Sequence, residues 1–344
     1  MDELRVGIIG SGFMGRTHSE AIAHYVHGAS LISVAGGQGA SQLAADYGVE
    51  FINSVEELVE SDSIDAVIIA TPQVVHAQQT VLAAYQGKHV LVEKPMTISL
   101  DQCDAMITAC REAGVNLMVA QSQRYRKGNL IAKEILDRGE IGRILMIEES
   151  QINTGGLASL PGWQSEKENL GTLLGYGVHN IDRLRWFLED EVQWIAGITT
   201  NYAEDTLAEA SSMMLMKFCK GTSATLWCTF EAPQPGLPAS GFRVRIVGEK
   251  SLLDVDSFGL TQIGKGDHWE VVYEQPKFNF RTDPFSPLRM EAYYKQDQEF
   301  IDSILEKRQP AVTGEDGRAA VEIALAAYES SRLGRVVHLP IKQD

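Results

Sequence analysis

Three short runs of this chain carry residue types and spacings that could do chemistry. The first is Gly10-Ser11-Gly12-Phe13-Met14-Gly15, a G-x-G-x-x-G that follows an apolar run at 5–9 and opens a helical pattern. In such a turn the first glycine permits the sharp bend, the second lets a pyrophosphate approach the backbone, and the third lets helix pack on strand. The pyrophosphate then lies at the positive end of the helix. Glycine spacing alone is weak evidence, but its position at the first strand-to-helix turn reads as a dinucleotide loop. Gly10, Gly12, Phe13, Met14 and Gly15 are therefore assigned to cofactor binding.

The second run is Glu93-Lys94-Pro95, directly after an apolar strand pattern ending at Val92. In an open α/β sheet a ligand lies outside the carboxyl ends of the strands, so Lys94 would project toward it. Pro95 adds a rigid turn of the kind that accommodates a cis bond. Thr71, Pro72 and His76 end the preceding strand on the same edge, where a nicotinamide ribose would lie. The third run is His179 with Asp182, one helical turn apart on one face. Taken singly, a lysine after a strand is most often a solvated charge, and a His–Asp pair on a helix is most often structural.

An acidic residue ordinarily ends the second strand of such a domain and accepts the ribose 2′-OH. Here that stretch reads Ala35-Gly36-Gly37-Gln38-Gly39-Ala40-Ser41. No carboxylate repels a 2′-phosphate and no Arg or Lys in the stretch grips one. Gly36 and Gly37 are assigned to the cofactor, and NAD versus NADP stays open.

Positioning these groups requires an alternation of strands and helices. Strand patterns fall at 5–9, 31–35, 66–70, 89–92 and 116–120, each short and apolar throughout, as strands buried on both faces should be. Helical patterns lie between them, with Ser54 and Ser99 at N-cap positions and Gly48, Gly87 and Gly114 where left-handed caps belong. After Gln121 the texture changes. A helix is expected at 129–138, a long strand at 144–153 and a helix at 178–188. Alternating segments then run from 193 to 274, and helices at 291–306 and 315–333 close the chain. The expectation is an α/β protein with two domains. Residues 1–122 form a Rossmann doubly wound parallel sheet. Residues 123–344 form an α+β domain with a large, mostly antiparallel open sheet, its last helix a candidate to pack back on the first domain.

Composition narrows the partners. Thirty Lys and Arg against 46 Asp and Glu give a formal net charge of −16. Such a surface repels nucleic acid, while a local helix N-terminus still accommodates an anionic cofactor. The four cysteines have no C-x-x-C spacing and no metal-ligand cluster stands out among the eight histidines. No metal is expected. No charged leader and no membrane-length apolar stretch is visible, which reads as a cytoplasmic protein.

Together these pieces resemble the Gfo/Idh/MocA oxidoreductase family of glucose–fructose oxidoreductase and inositol dehydrogenase. The resemblance spans nearly the whole chain. It rests on the glycine loop with Arg16 and His18, on Ala70-Thr71-Pro72, and on Gly87-Lys88-His89-Val90-Leu91-Val92-Glu93-Lys94-Pro95. Gln123-Arg124-Tyr125, Gly139-Glu140-Ile141-Gly142 and the glycine-rich run into His179 and Asp182 complete it. It implies hydride transfer between NAD(P) and a secondary alcohol of a sugar, cyclitol or related polyol. It also implies a homodimer or homotetramer formed through the C-terminal sheet. Lys94 matches the lysine of the family's catalytic set and His179 its histidine. The aspartate of its D-x-x-x-H spacing is replaced by Gly175. Tyr125, Trp163, Tyr176 and Asp182 are candidates to line the substrate. Two rival readings share these residues: a glycoside-cleaving enzyme that recycles a tightly bound NAD(H), and a nucleotide or ligand sensor without catalysis.

Overall fold

Six short strands form a fully parallel sheet in the first half of the chain. They are β1 (Leu4–Ile9), β2 (Ala29–Ala35), β3 (Glu50–Phe51), β4 (Ala66–Ile69), β5 (His89–Val92) and β6 (Leu117–Val119), in the order β3-β2-β1-β4-β5-β6. The order reverses between β1 and β4, the switch point at which such sheets open a crevice for a dinucleotide. Val6, Ile8, Ile9, Ile68 and Leu91 are wholly buried, which is why these strands read as unbroken apolar runs. The connecting helices are α1 (Phe13–His24), α2 (Ala40–Tyr47), α3 (Val55–Glu60), α4 (His76–Tyr85) and α5 (Leu100–Ala113). The Ser54 and Ser99 hydroxyls accept the Glu57 and Gln102 N–H groups at 3.1 and 3.3 Å, as expected of N-caps.

The computed structural model describes residues 3–155, 171–202, 208–237, 240–279 and 282–341. It divides into two units, Met1–Tyr125 with Phe278–Arg318, and Arg126–Lys277 with Ala319–Asp344. This division and the expected boundary after residue 122 differ mainly by Phe278–Arg318, which carries α8 (Pro287–Leu305) onto α1. The helix α9 (Gly314–Leu333) begins in the first unit and continues in the second.

The second unit is built on a nine-stranded mixed sheet. Its strands are β7 (Ile144–Thr154), β8 (Val192–Thr200), β9 (Ser211–Phe218), β10 (Ser223–Ala232), β11 (Phe242–Gly248), β12 (Leu252–Asp256), β13 (Leu260–Lys265), β14 (His268–Glu274) and β15 (Val337–His338). They run in the order β14-β13-β12-β11-β7-β10-β9-β8-β15; β7 and β10 pair in parallel and the other neighbours antiparallel. The unit also holds α6 (Lys127–Asp137) and α7 (Val178–Leu188). A buried ion pair fastens α7 to the sheet. Arg183 Nε donates to Glu149 Oε2 at 3.1 Å, and Asn180 adds a bond to the same carboxylate at 2.6 Å. Across the other face, Ile198, Met213 and Trp227 stand in register on β8, β9 and β10 and are 64%, 57% and 46% exposed.

Candidate active site

The glycine loop sits between β1 and α1, and its three glycines face different demands. A side chain at Gly10 would lie 2.6 Å from the Ala70 carbonyl oxygen, and Gly10 adopts φ +116°. One at Gly15 would collide with the Gly10 carbonyl, so helix and strand can approach only over glycine. At Gly12 a side chain would meet nothing within 4 Å. Gly12 is the N-cap of α1; no side chain caps the helix there and its first turn carries no acidic residue. An electropositive helix end with open space before it fits a pyrophosphate. Phe13 is 46% exposed beside the loop and Met14 is half-buried.

The turn after β2 packs against this loop. Gly36 and Gly37 adopt φ +79° and +82°, and the Gly39 N–H donates to Ser11 Oγ at 3.1 Å. A side chain at Gly37 would press on that hydroxyl at 2.5 Å. Gln38 is exposed. Arg16 is engaged by Asp46 of α2.

At the ends of β4 and β5 the candidate residues form a connected set. His76 is buried, its Nε2 2.7 Å from the Thr71 carbonyl oxygen and its Nδ1 3.1 Å from that of Pro95. Burial holds its pKa below the usual imidazole value. The ring therefore lies between the turn after β4 and the turn after β5, and in its neutral form its single N–H donates to one of these carbonyls. Thr71 donates its hydroxyl to Gln79 at 2.6 Å, Pro72 is exposed, and the Lys94–Pro95 bond is cis. Lys94 is half-buried, and its backbone N–H donates to Glu93 Oε2 at 3.0 Å. Burial pushes its ammonium pKa down, against the opposing pull of Glu93 and the Tyr293 phenol. Behind Glu93 lies His18, fully buried, with Nε2 3.1 Å from Glu93 Oε1 and Nδ1 2.9 Å from Asp297 Oδ2.

The second unit holds the remaining candidates. Leu173–Gly177 forms one π-helical turn that leads into α7, a local irregularity frequent at functional sites. Glu209 anchors it, accepting the Leu173 N–H at 2.5 Å and the Tyr328 hydroxyl at 3.2 Å; burial pushes its pKa up to about 8. Tyr176 stacks obliquely on Phe230 with ring centroids 4.6 Å apart. His179, near the start of α7, is half-buried, and Asp182 is fully buried. Among the described residues, a side chain at Gly175 would meet nothing within 4 Å. Tyr125 ends a short 3-10 turn, Ser122–Tyr125, of the first unit and is half-buried. Trp163 lies outside the described residues.

Sequence reasoning missed two groups. In the sequence His18 stands out only as part of the loop's signature, and Asp297 has no local mark. On the helix-facing side of β7 and α7, both amide atoms of Gln151, Nδ2 of Asn153 and Oδ1 of Asn180 are buried without a hydrogen-bond partner among the described residues. Polar residues at alternate positions of an otherwise apolar strand face were the available signal.

Comparison with known proteins places this geometry. Residues 4–121 match the family GFO_IDH_MocA, described as "Oxidoreductase family, NAD-binding Rossmann fold". Residues 133–339 match GFO_IDH_MocA_C, described as "Oxidoreductase family, C-terminal alpha/beta domain". The chain is 26% identical to scyllo-inositol 2-dehydrogenase (NAD(+)) of Bacillus subtilis (strain 168), over 99% of this chain and 98% of that protein. It is 23% identical to 2,7-anhydro-N-acetylneuraminate hydratase of Mediterraneibacter gnavus, over 98% of this chain and 97% of that one. The crystal structure of scyllo-inositol dehydrogenase from Lactobacillus casei with bound NAD(H) and scyllo-inositol superposes with a TM-score of 0.82. It is 25% identical, covering 98% of this chain and 99% of that chain.

Proposed function

The chain belongs to the Gfo/Idh/MocA family of NAD-binding oxidoreductases, and from that premise we propose that it interconverts a secondary alcohol and a ketone on a cyclitol or related polyol. The observation that carries this reading is the company Lys94 keeps. It is a half-buried lysine, tied to Glu93 at the end of β5, in the same unit as a glycine loop whose middle position opens onto space. Gly10, Gly12, Phe13, Met14, Gly15, Gly36, Gly37, Thr71, Pro72, Glu93 and Pro95 shape the nucleotide's bed, and His76 lies between two of its turns. When bound, the nicotinamide supplies hydride acceptance or donation.

Lys94 donates a hydrogen bond to the reacting oxygen and stabilises the negative charge that develops there. His179 is the general base of alcohol oxidation, because a reference pKa near 6.5 suits proton removal at neutral pH better than one near 10.4. Tyr125 and Tyr176 line the polyol. Asp182, buried in α7, supports the helix that carries His179. The unpartnered amide atoms, Nε2 and Oε1 of Gln151, Nδ2 of Asn153 and Oδ1 of Asn180, offer both donors and acceptors. Leaving such groups buried and unpaired costs about 1–3 kcal/mol each, and a ligand bearing several hydroxyls recovers it. The exposed apolar row of Ile198, Met213 and Trp227 supports assembly as a homodimer or homotetramer through this sheet. Among the described residues no helix is long and apolar enough to cross a membrane, and the reading is of a cytoplasmic enzyme.

A panel of sugars and polyols including scyllo-inositol, assayed at 340 nm with NAD and with NADP, tests the reading and decides the cofactor. Lys94→Ala and His179→Ala should each lower kcat by about 10²–10⁴, with nucleotide affinity nearly unchanged. Full turnover in both variants would sink the assignment. Substrate consumption without net NAD(P)H would instead point to the rival cleavage chemistry with a recycled cofactor.

A further inference from the structure

We propose that His18 and Asp297 are positioning residues for Lys94: an imidazolium clamped between the Asp297 and Glu93 carboxylates fixes Glu93 and sets the charge that the Lys94 ammonium faces. The inference rests on the catalytic reading of Lys94 given above. All four residues lie in the first unit, in the spatial order Lys94, Glu93, His18, Asp297. His18 comes from α1, Glu93 and Lys94 from the end of β5, and Asp297 from α8.

Hydrogen-bond chemistry requires the protonated ring. Nδ1 lies 3.0 and 2.9 Å from the two Asp297 oxygens and Nε2 lies 3.1 Å from Glu93 Oε1. An ionised carboxylate only accepts, so both ring nitrogens must donate. The three side chains are buried, so water cannot substitute for any partner. Burial by itself would discharge the ring; Asp297 and Glu93 more than offset that and push its pKa up to about 10. Burial likewise opposes the ionised form of Glu93, but His18 holds that carboxyl below its usual range.

The consequence falls on Lys94. Glu93 uses one oxygen for His18 and the other for the Lys94 backbone N–H at 3.0 Å, so a fixed carboxylate fixes the backbone that aims the lysine. The groups facing His18 are Glu93 and Asp297. Asp297 also receives the Gln296 amide at 3.4 Å, and Arg289 of α8 bonds Thr17, the neighbour of His18, at 3.2 Å. Within this unit Lys94 faces Glu93 and the Tyr293 phenol. The Asp297–His18 pair is neutral overall, with its positive end toward Glu93. Discharging the pair leaves Glu93 uncompensated and raises the Lys94 pKa.

The test combines nitrogen-15 NMR of the histidine side chains with a pH profile. In the wild-type protein one imidazole, identified by its loss in His18→Gln, should carry both N–H protons from pH 6 to 9 and titrate only near pH 10. In Asp297→Asn that ring should be neutral at pH 7, because the carboxamide can donate to Nδ1 while Nε2–H still serves Glu93. The high-pH limb of kcat, where Lys94 loses its proton, should then move up by about half a pH unit, with nucleotide affinity unchanged. A His18 ring already neutral at pH 7 in the wild-type protein overturns the proposal, whether or not the variant folds. A variant profile that superimposes on the wild type overturns it too. If Lys94→Ala keeps full kcat, the catalytic reading fails on its own, since the His18 titration does not depend on it.

Discussion

Gly12 and Gly175 stand in two unlike regions, a phosphate loop in one unit and the turn before α7 in the other, yet they share one property. A side chain at either would meet nothing within 4 Å among the described residues, while their neighbouring glycines are forced by the chain itself. Gly10 and Gly15 are pressed by backbone carbonyls, and Gly171 by Glu209 at φ +71°. Glycines of the second kind are explained by folding. Those of the first kind are not, so their reason lies outside the chain's own packing. At Gly12 the proposed reason is a ligand, for space in front of an uncapped helix end suits a pyrophosphate. At Gly175 the family resemblance implies a lost side chain, an aspartate replaced by glycine. On the proposed reading, one opening is kept for a ligand and the other is left by a substitution.

Substitutions at these glycines test that contrast. The largest expected effect is that of Gly12→Val. It should leave the fold intact and weaken NAD(P)H binding by about a hundredfold or more, equivalent to roughly 2.8 kcal/mol, because its side chain occupies the pyrophosphate's place. Unchanged binding in calorimetry of the folded variant would remove the distinction at its source. Next is Gly15→Ala, whose methyl would collide with the Gly10 carbonyl. A loss of about 1–3 kcal/mol in denaturant unfolding is expected, as for overpacked sites; a stability equal to wild type would show that the helix shifts freely. The smallest effect is that of Gly175→Asp. The space admits the side chain without strain, so stability should hold. A carboxylate near His179 stabilises the imidazolium and raises its pKa. A base works only when deprotonated, so the limb where activity appears with rising pH should move up by about one unit. No movement would mean that the new carboxylate does not reach the ring, and that His179 is oriented by other groups.

Much of the first unit was legible before any coordinates. Strand patterns at 5–9, 66–70 and 89–92 match β1, β4 and β5 within a residue or so, and Ser54 and Ser99 cap as expected. In the second unit the pattern at 144–153 became β7 and that at 178–188 became α7. The alternating segments expected over 193–274 became β8 to β14, and α8 starts four residues before the helix expected at 291. The Ser286-Pro287 step was the unread signal, for Ser286 caps that helix through the Arg289 N–H.

The candidate site divides along a physical line. Whatever depends on a few neighbouring residues was determined by the sequence alone. Glycines 10, 12 and 15 shape a turn through their own φ freedom and lack of side chain, and apolar periodicity separates strand from helix, so the nucleotide loop and its sheet needed no tertiary information. What depends on hydrogen-bond partners was decided only by the tertiary structure. His18 meets Glu93 across 75 residues and Asp297 across 279, and no local preference of a histidine or an aspartate encodes a partner so far along the chain. The charge of that ring, the restraint on Glu93, the unpartnered amide of Gln151 and the unpartnered Oδ1 of Asn180 exist only once burial has removed water as the alternative partner, because in the unfolded chain water satisfies every one of these groups.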